Sequence, residues 1–189
     1  MSKLIVTLFS FFLSINVLAQ KECDIENSVN YKDLKVVNAE KVKCLAKQNE
    51  RQSLFWSFGI WCAPCKLHSD NAFKFAKEHN LNFYVILIED DKSNNSQIER
   101  AVNYLKAKDE DVKILLLSNE YSSRPRVKYK KFVTEITPSQ FENIPGMSKY
   151  ILVNNEGVVQ MVTNYKDYAG DDWRDDSGLQ KRRLLPLIK

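Results

Sequence analysis

The chain has 189 residues, of which 44% are hydrophobic and 28% charged. This composition is that of a globular protein and excludes a disordered or collagen-like chain. The formal net charge of +4 is small and spread along the sequence, so it gives no reason to expect a nucleic acid or an anionic membrane surface as a partner.

Residues 1–19 have the three-part pattern of a secretory signal peptide. Lys3 supplies the basic start, an apolar run follows, and Val17 and Ala19 occupy the positions that a signal peptidase reads. We expect cleavage after Ala19 and export to the periplasm or the medium, where disulfides persist. The alternative is an uncleaved anchor, but the apolar run is shorter than the roughly 20 residues of a membrane-spanning helix. We therefore expect no stable membrane insertion after cleavage.

Residues 20–189 contain no repeat or low-complexity linker, which predicts one compact domain. After an N-terminal extension over 20–37, apolar residues at helical spacing predict a helix over 38–49. A short apolar run predicts a buried strand over 53–58, and helix-compatible spacing resumes over 62–79.

The second half continues the alternation of strands and helices. Apolar runs and spacing predict, in order, a strand over 82–88, a helix containing Ile98 and Leu105, a strand over 112–117, and a hairpin of 150–153 with 158–162. Helices between buried strands, followed by a hairpin, predict an α/β fold with a central mixed β-sheet flanked by helices.

Residues 118–143 are polar and basic around a β-like alternation of Val127 and Tyr129. The basic residues are Arg124, Arg126, Lys128, Lys130 and Lys131. We interpret this segment as an irregular insert, a solvated connection with one edge strand. A role in substrate recognition is the alternative.

The sequence Trp61-Cys62-Ala63-Pro64-Cys65 falls where the strand predicted over 53–58 meets the next helix. Unpaired backbone N–H groups and the helix dipole favour a thiolate at Cys62, so we expect its pKa to lie below the free value of about 8.5. We predict that Cys62 is the catalytic nucleophile and that Cys65 resolves the mixed disulfide with a substrate. Trp61 would offer that substrate a flat apolar contact surface.

Three other interpretations of Cys62 and Cys65 remain open. The pair could form a structural disulfide, although so short a loop removes little chain entropy. It could be half of a zinc site, although Cys23 and Cys44 lack the spacing of a second half. A soft-metal site would add His68, which we otherwise expect to be solvated on the helix surface. We expect a protein without a metal.

The segment 58–66, Phe-Gly-Ile-Trp-Cys-Ala-Pro-Cys-Lys, resembles the active-site stretch of the thioredoxin superfamily. In an exported chain, WCAPC is most similar to the TlpA/ResA-like thiol-disulfide oxidoreductases. By element order the resemblance covers residues 38–162, and it implies a thioredoxin-like fold. It also implies dithiol exchange with protein thiols or disulfides and with an upstream redox partner protein, no bound cofactor, and reduction as the direction of reaction.

The chain departs from this family in the position of a proline. Thioredoxin-like proteins place a cis-proline before the strand corresponding to 150–153, opposite the CxxC pair. We predict that the Ile144-Pro145 bond is cis and that Pro145 binds substrate beside Cys62. The alternatives are an ordinary trans turn at Pro145, or Ser148 in its place.

A second departure concerns proton transfer. Many thioredoxins carry a buried acid six residues before the first active-site cysteine, where this chain has Trp56. Glu89, at the end of the strand predicted over 82–88, could replace that acid, but we favour a solvated carboxylate. Likewise, we interpret the aspartates around Trp173 as a solvated acidic turn, since they lack the ligand spacing of a calcium loop.

The remaining cysteines, Cys23 and Cys44, both follow the predicted cleavage site. We expect them to form a structural disulfide that stabilises the amino-terminal segment by about 3 kcal/mol. Two free thiols, or a relay that passes electrons to Cys62 and Cys65, are the alternatives.

Overall fold

A computed structural model describes residues 23–92 and 94–189 of the chain. The signal peptide predicted over residues 1–19 lies outside the described residues. Within the described ranges, no helix has both the length and the apolar character that crossing a bilayer requires.

A six-stranded mixed sheet forms the centre of the molecule, in the order β1-β4-β3-β2-β5-β6. The strands are β1 (Lys35–Val37), β2 (Ser53–Phe58), β3 (Asn82–Leu87), β4 (Lys113–Leu117), β5 (Tyr150–Val153) and β6 (Val159–Val162). The first four strands are parallel, β5 runs antiparallel to β2, and β6 runs antiparallel to β5. The prediction of an α/β fold with a mixed sheet is confirmed.

Helices cover both faces of this sheet. They are α1 (Ala39–Lys47), α2 (Ala63–Glu78), α3 (Ser96–Lys106) and α4 (Pro125–Ile136), followed by short helical turns at Tyr165–Tyr168 and over 177–187. Because side chains alternate along a strand, Trp56 of β2 packs in the core beneath α2 and α3, whereas Phe55 packs in the core beneath α1 and α4. Two apolar layers therefore hold β2, and with it the start of α2, in a fixed position.

Helix α4 corrects the prediction of an irregular insert with an edge strand in residues 118–143. Pro125 occupies the first helical turn, where its missing N–H is tolerated. Tyr129, Phe132 and Ile136 are spaced three and four residues apart and are buried against the sheet. This helical period, rather than the alternation of Val127 and Tyr129, decides the local structure.

The segment that precedes α1 belongs to the same sheet. Residues 35–37 form β1, which pairs in parallel with β4 at the edge of the sheet. The sulfur atoms of Cys23 and Cys44 lie at a bonding distance of 1.93 Å and so attach the beginning of this segment to α1. The predicted extension over 20–37 therefore contributes an edge strand.

Candidate active site

Cys62 and Cys65 lie at the amino-terminal end of α2, directly after the turn that follows β2, and their sulfur atoms are 2.17 Å apart as a disulfide. Cys62 is the N-cap residue, and its Sγ accepts a hydrogen bond from the backbone N–H of Cys65 at 3.2 Å. The Cys62 sulfur thus faces the positive end of a 16-residue helix, which favours the thiolate after reduction.

A cleft of about 660 Å³ opens beside Cys62. Trp61 and Cys62 line one side, the loop 146–149 lines the opposite side, and residues of the segment 163–179 close the end. Cys65 is fully buried and does not line this cleft, whereas Trp61 is 45% exposed. A substrate in the cleft therefore meets Cys62 before Cys65.

The prediction of a cis Ile144-Pro145 bond is wrong, because no peptide bond among the described residues is cis. Pro145 is exposed and is absent from the cleft lining, which includes Gly146, Met147 and Ser148. The chain passes beside Cys62 two to three residues later than predicted. Ser148, the alternative considered from the sequence, is the residue that the structure brings into the site.

The loop 146–149 is held by hydrogen bonds from β2 and α4. Ser57 Oγ accepts from the backbone N–H of Lys149 at 2.9 Å, and the Tyr129 hydroxyl donates to the carbonyl of Gly146 at 2.9 Å. Ser148 adopts a left-handed conformation with φ of +60°, which a side chain disfavours. Among the described residues, no hydrogen bond reaches the backbone N–H or carbonyl of Met147, so this edge is free for a bound segment.

His68 is buried, which corrects the expectation of a solvated histidine on α2: the residue is 1% exposed. Its Nε2 donates to the carbonyl of Trp173 at 2.7 Å, because a carbonyl oxygen can only accept. Its Nδ1 then accepts, in the neutral ring, from the hydroxyl of Ser148 at 2.9 Å. Trp56 Nε1 donates to the same hydroxyl at 3.2 Å. This chain of bonds connects α2, β2 and the loop across the cleft.

Asp176 is also buried, so the interpretation of the aspartates near Trp173 as a solvated turn is wrong for this residue. Its carboxylate accepts from the Tyr150 hydroxyl and from the side-chain amide of Asn71, the latter at 2.8 Å. It lies 3.8 Å from Nδ1 of His68. Asp176 therefore anchors the segment that closes the cleft onto α2 and β5.

Glu89 is 3% exposed, which corrects the expectation of a solvated carboxylate. Burial raises the pKa of this carboxyl, although the indole N–H of Trp61 and the backbone N–H of Ile60 act to lower it. Trp61 Nε1 donates to Glu89 Oε2 at 3.3 Å, and Oε1 has no hydrogen-bond partner among the described residues. A Cβ atom at Gly59 would lie 3.1 Å from the Trp61 ring and 3.4 Å from Oε1, so glycine permits this close packing.

Lys128 differs from the other basic residues of its segment because its side chain is fully buried. Its ammonium group donates to the carbonyls of Glu89 and Leu117, which follow β3 and end β4, and to Asn119. Burial lowers the pKa of Lys128 to about 8, although nearby acids, chiefly Asp90, oppose the change. Lys128 therefore has a structural role: it connects α4 to the residues that follow β3 and end β4, next to Glu89.

In the structure Cys62 is paired with Cys65, and Cys23 with Cys44. Among the described residues, no group of three or more histidine, cysteine, aspartate or glutamate side chains is arranged to hold a metal ion.

No protein-family model and no curated protein matches the sequence. Similar solved structures include a thio-disulfide isomerase from Thermus thermophilus, at 21% identity and a TM-score of 0.41 over 61% of this chain and 68% of that one. A thioredoxin-family thiol:disulfide interchange protein from Chlorobium tepidum TLS has 15% identity and a TM-score of 0.45 over 74% and 80%. The reduced N-terminal domain of PilB from N. meningitidis has 12% identity and a TM-score of 0.41 over 75% and 83%.

The chain's own architecture defines its class. A parallel strand, β2, leads into a CxxC pair at the start of α2, and the antiparallel β5 lies beside β2 and places its preceding loop opposite that pair. This architecture is that of a thioredoxin-like fold with a cysteine pair at the start of α2.

Proposed function

We propose that this protein is a thiol-disulfide oxidoreductase that exchanges the Cys62/Cys65 dithiol-disulfide with protein clients. The observation that carries the proposal is the position of the pair. Cys62 caps α2 and lines the cleft, while Cys65 is bonded to it and fully buried behind it. Cys62 is 4% exposed and lines the cleft, whereas Cys65 is 0% exposed and does not, so access from the cleft and the helix dipole make Cys62 the attacking thiol and Cys65 the resolving one.

In the reducing direction, the Cys62 thiolate attacks one sulfur of a client disulfide. A bond forms between Cys62 and the client, the client's own disulfide breaks, and its other sulfur leaves and takes up a proton. Cys65 then loses its proton and attacks Cys62 Sγ, which releases the second client sulfur. That second sulfur also takes up a proton, so the client gains two electrons and two protons; the electrons come from the Cys62/Cys65 pair, and the pair's own protons leave to solvent when the Cys62 and Cys65 thiolates form. An upstream dithiol protein must reduce the pair again.

The client segment is held in the cleft between Trp61 and the loop 146–149. The indole of Trp61 offers apolar area, and the unpaired backbone of Met147 can bond an extended segment, as in strand addition. We transfer to Met147 and Ser148 the substrate-binding role that the sequence predicts for Pro145. The buried bonds of His68 and Ser148 keep this edge at a fixed distance from α2.

We further propose that the protein is exported to the periplasm or secreted, acts as a reductase, and carries Cys23–Cys44 as a structural disulfide. Export is supported by the signal-peptide pattern of residues 1–19 and by two disulfides, which suit an oxidising compartment. The reducing direction is supported by the resemblance of WCAPC to the TlpA/ResA-like proteins.

An insulin-reduction assay tests the proposal. Reduced wild-type protein should accelerate the precipitation of insulin by dithiothreitol, and Cys62→Ser should abolish the acceleration. The Cys23→Ser, Cys44→Ser double variant should retain it as the matched control. A wild-type protein without effect on insulin would overturn the proposal in favour of a thioredoxin-fold binding or chaperone-like module without redox turnover.

A further inference from the structure

A second concave surface adjoins the cleft beside Cys62. This groove, of about 470 Å³, is lined by Trp61 and by the beginning of α4, namely Arg124, Pro125, Arg126 and Val127. Trp61 lines both the groove and the cleft, so the two surfaces meet at this side chain. A client segment that places a cysteine at Cys62 can therefore extend directly into the groove.

The groove is positively charged, and none of the described residues that line it is acidic. Arg124 and Arg126 are exposed, and no carboxylate of the described residues forms an ion pair with either guanidinium. Two unpaired arginines at the edge of a cleft attract an anion, and arginine can bind a carboxylate through two parallel hydrogen bonds.

The three acids that follow β3 make other contacts, and none of them lines the groove. Glu89 is buried beneath Trp61. Asp90 forms an ion pair with Lys92 at 2.8 Å, and Asp91 accepts from the hydroxyl of Ser28 at 2.8 Å. The positive charge of the groove is therefore available to a ligand.

The apolar part of the groove suits a peptide. Trp61 is 45% exposed, and Pro125 and Val127 are half-buried beside it. An aromatic ring flanked by arginines is a common composition at the centre of protein interfaces. The groove can thus hold the side chain next to a client cysteine and pair its charge at the same time.

We propose that this groove selects client polypeptides in which aspartate or glutamate lies within a few residues of the cysteine attacked by Cys62. The inference rests on the proposed oxidoreductase function and deepens it by naming the client class. Exposed ion pairs are individually weak and are screened by salt, so two of them together should change kcat/KM by about fivefold.

Three peptides of one sequence test the inference. In each peptide a single cysteine is blocked as a neutral 2-thiopyridyl disulfide. The residues that flank this cysteine are aspartates in one peptide, asparagines in the second and lysines in the third. Release of thiopyridone measures kcat/KM for the reduced protein at low ionic strength. The wild type should process the aspartate peptide about fivefold faster than the asparagine peptide, and about 0.5 M salt should remove most of the difference.

Two double variants of α4 with the same change in net charge locate the effect. Arg124→Gln, Arg126→Gln should abolish the preference for aspartate while leaving the asparagine peptide rate near that of the wild type. Lys130→Gln, Lys131→Gln changes two exposed lysines outside the groove lining and should keep the preference.

The outcomes separate the two proposals. Equal rates for the aspartate and asparagine peptides, or a preference that survives loss of both arginines, would overturn the acidic-client inference and leave the oxidoreductase function intact. Failure to process any of the three peptides would overturn the oxidoreductase function itself.

Discussion

The Nδ1 atom of His68 lies 2.9 Å from Oγ of Ser148 and so connects α2 to the loop on the opposite side of the cleft. His68 follows Cys65 by one helical turn, and Ser148 lies two residues before β5. The width of the cleft that presents Cys62 is therefore set by a buried polar contact between two elements distant in sequence.

Replacement of Ser148 tests this contact. Ser148→Ala should lower the free energy of unfolding by about 1–3 kcal/mol, because it leaves Trp56 Nε1 without its hydrogen-bond partner and His68 Nδ1 with only the Tyr168 hydroxyl, at 3.4 Å. Ser148→Gly loses the same hydroxyl, but glycine tolerates the left-handed backbone at this position. We therefore expect Ser148→Gly to be more stable than Ser148→Ala by up to about 1 kcal/mol. Urea unfolding of both variants measures the difference, and a glycine variant less stable than the alanine variant would contradict this account of the loop.

The order of attack predicts which cysteine variant traps clients. Cys65→Ala should accumulate mixed disulfides between Cys62 and client proteins, because no resolving thiol remains to release them. Cys62→Ala should trap few, because Cys65 is fully buried and does not line the cleft. Non-reducing electrophoresis with mass spectrometry of the adducts identifies the bonded cysteine. Adducts that form mainly on Cys65 would reverse the assignment.

The Cys23–Cys44 bond is predicted to affect stability and to leave turnover intact. Its cysteines are 21 positions apart, and opening a loop of this size costs about 3 kcal/mol in the loop-entropy description. The double variant Cys23→Ser, Cys44→Ser should therefore melt at a lower temperature in a thermal scan. Its insulin-reducing activity per folded molecule should equal that of the wild type below the melting range. Loss of activity at unchanged stability would instead indicate an electron relay.

The raised pKa of Glu89 predicts that the stability of the protein depends on pH. Burial raises its pKa above the ordinary value of 4.5, so the folded state holds this proton more tightly than the unfolded state. The contribution of Glu89 to stability is then fully present below about pH 4.5 and is lost as the pH rises through the raised pKa. Glu89→Gln should gain stability relative to the wild type as the pH rises above about 4.5 in denaturant unfolding.

A matched surface change controls for net charge in that experiment. Glu110 is exposed, and Glu110→Gln removes the same charge without opening a buried site. The stability advantage over the wild type should grow with pH for Glu89→Gln and stay flat for Glu110→Gln. An advantage of Glu89→Gln that does not vary with pH would show that Glu89 has the same pKa in both states.

The sequence predicts the elements whose pattern is local. Helix α2 was predicted over 62–79 and extends over Ala63–Glu78, with Cys62 and His79 as its caps. Strand β2 has the predicted bounds. Continuous apolar runs and helical spacing are direct consequences of burial between two layers, so they are readable without tertiary information.

Helix α4 was missed although its helical spacing is present at Tyr129, Phe132 and Ile136. The basic residues of the segment suggest a solvated loop, and Lys128 interrupts the apolar stripe because its buried ammonium group bonds carbonyls at the ends of other elements. Burial of a lysine depends on those distant partners, and no local pattern reveals it.

The polar residues around the candidate site could not be assigned for the same reason. His68, Glu89 and Asp176 are each interpreted from the sequence as solvated, and each is buried. Their partners lie far along the chain, as with Ser148, 80 residues from His68. The position beside Cys62 that was assigned to Pro145 depends on the path of a loop, and three residues of error are enough to exchange Pro145 for Ser148.

A redox titration of Cys62 and Cys65 distinguishes a redox-active pair from a structural disulfide. The protein is equilibrated in buffers of graded thiol-disulfide potential, its thiols are alkylated, and the oxidised fraction of each pair is read by mass spectrometry. We expect one reversible two-electron transition for Cys62/Cys65 between about −270 and −120 mV, with Cys23–Cys44 still oxidised in that range. A Cys62–Cys65 bond that remains oxidised below about −300 mV would be a structural disulfide and would contradict the proposed function.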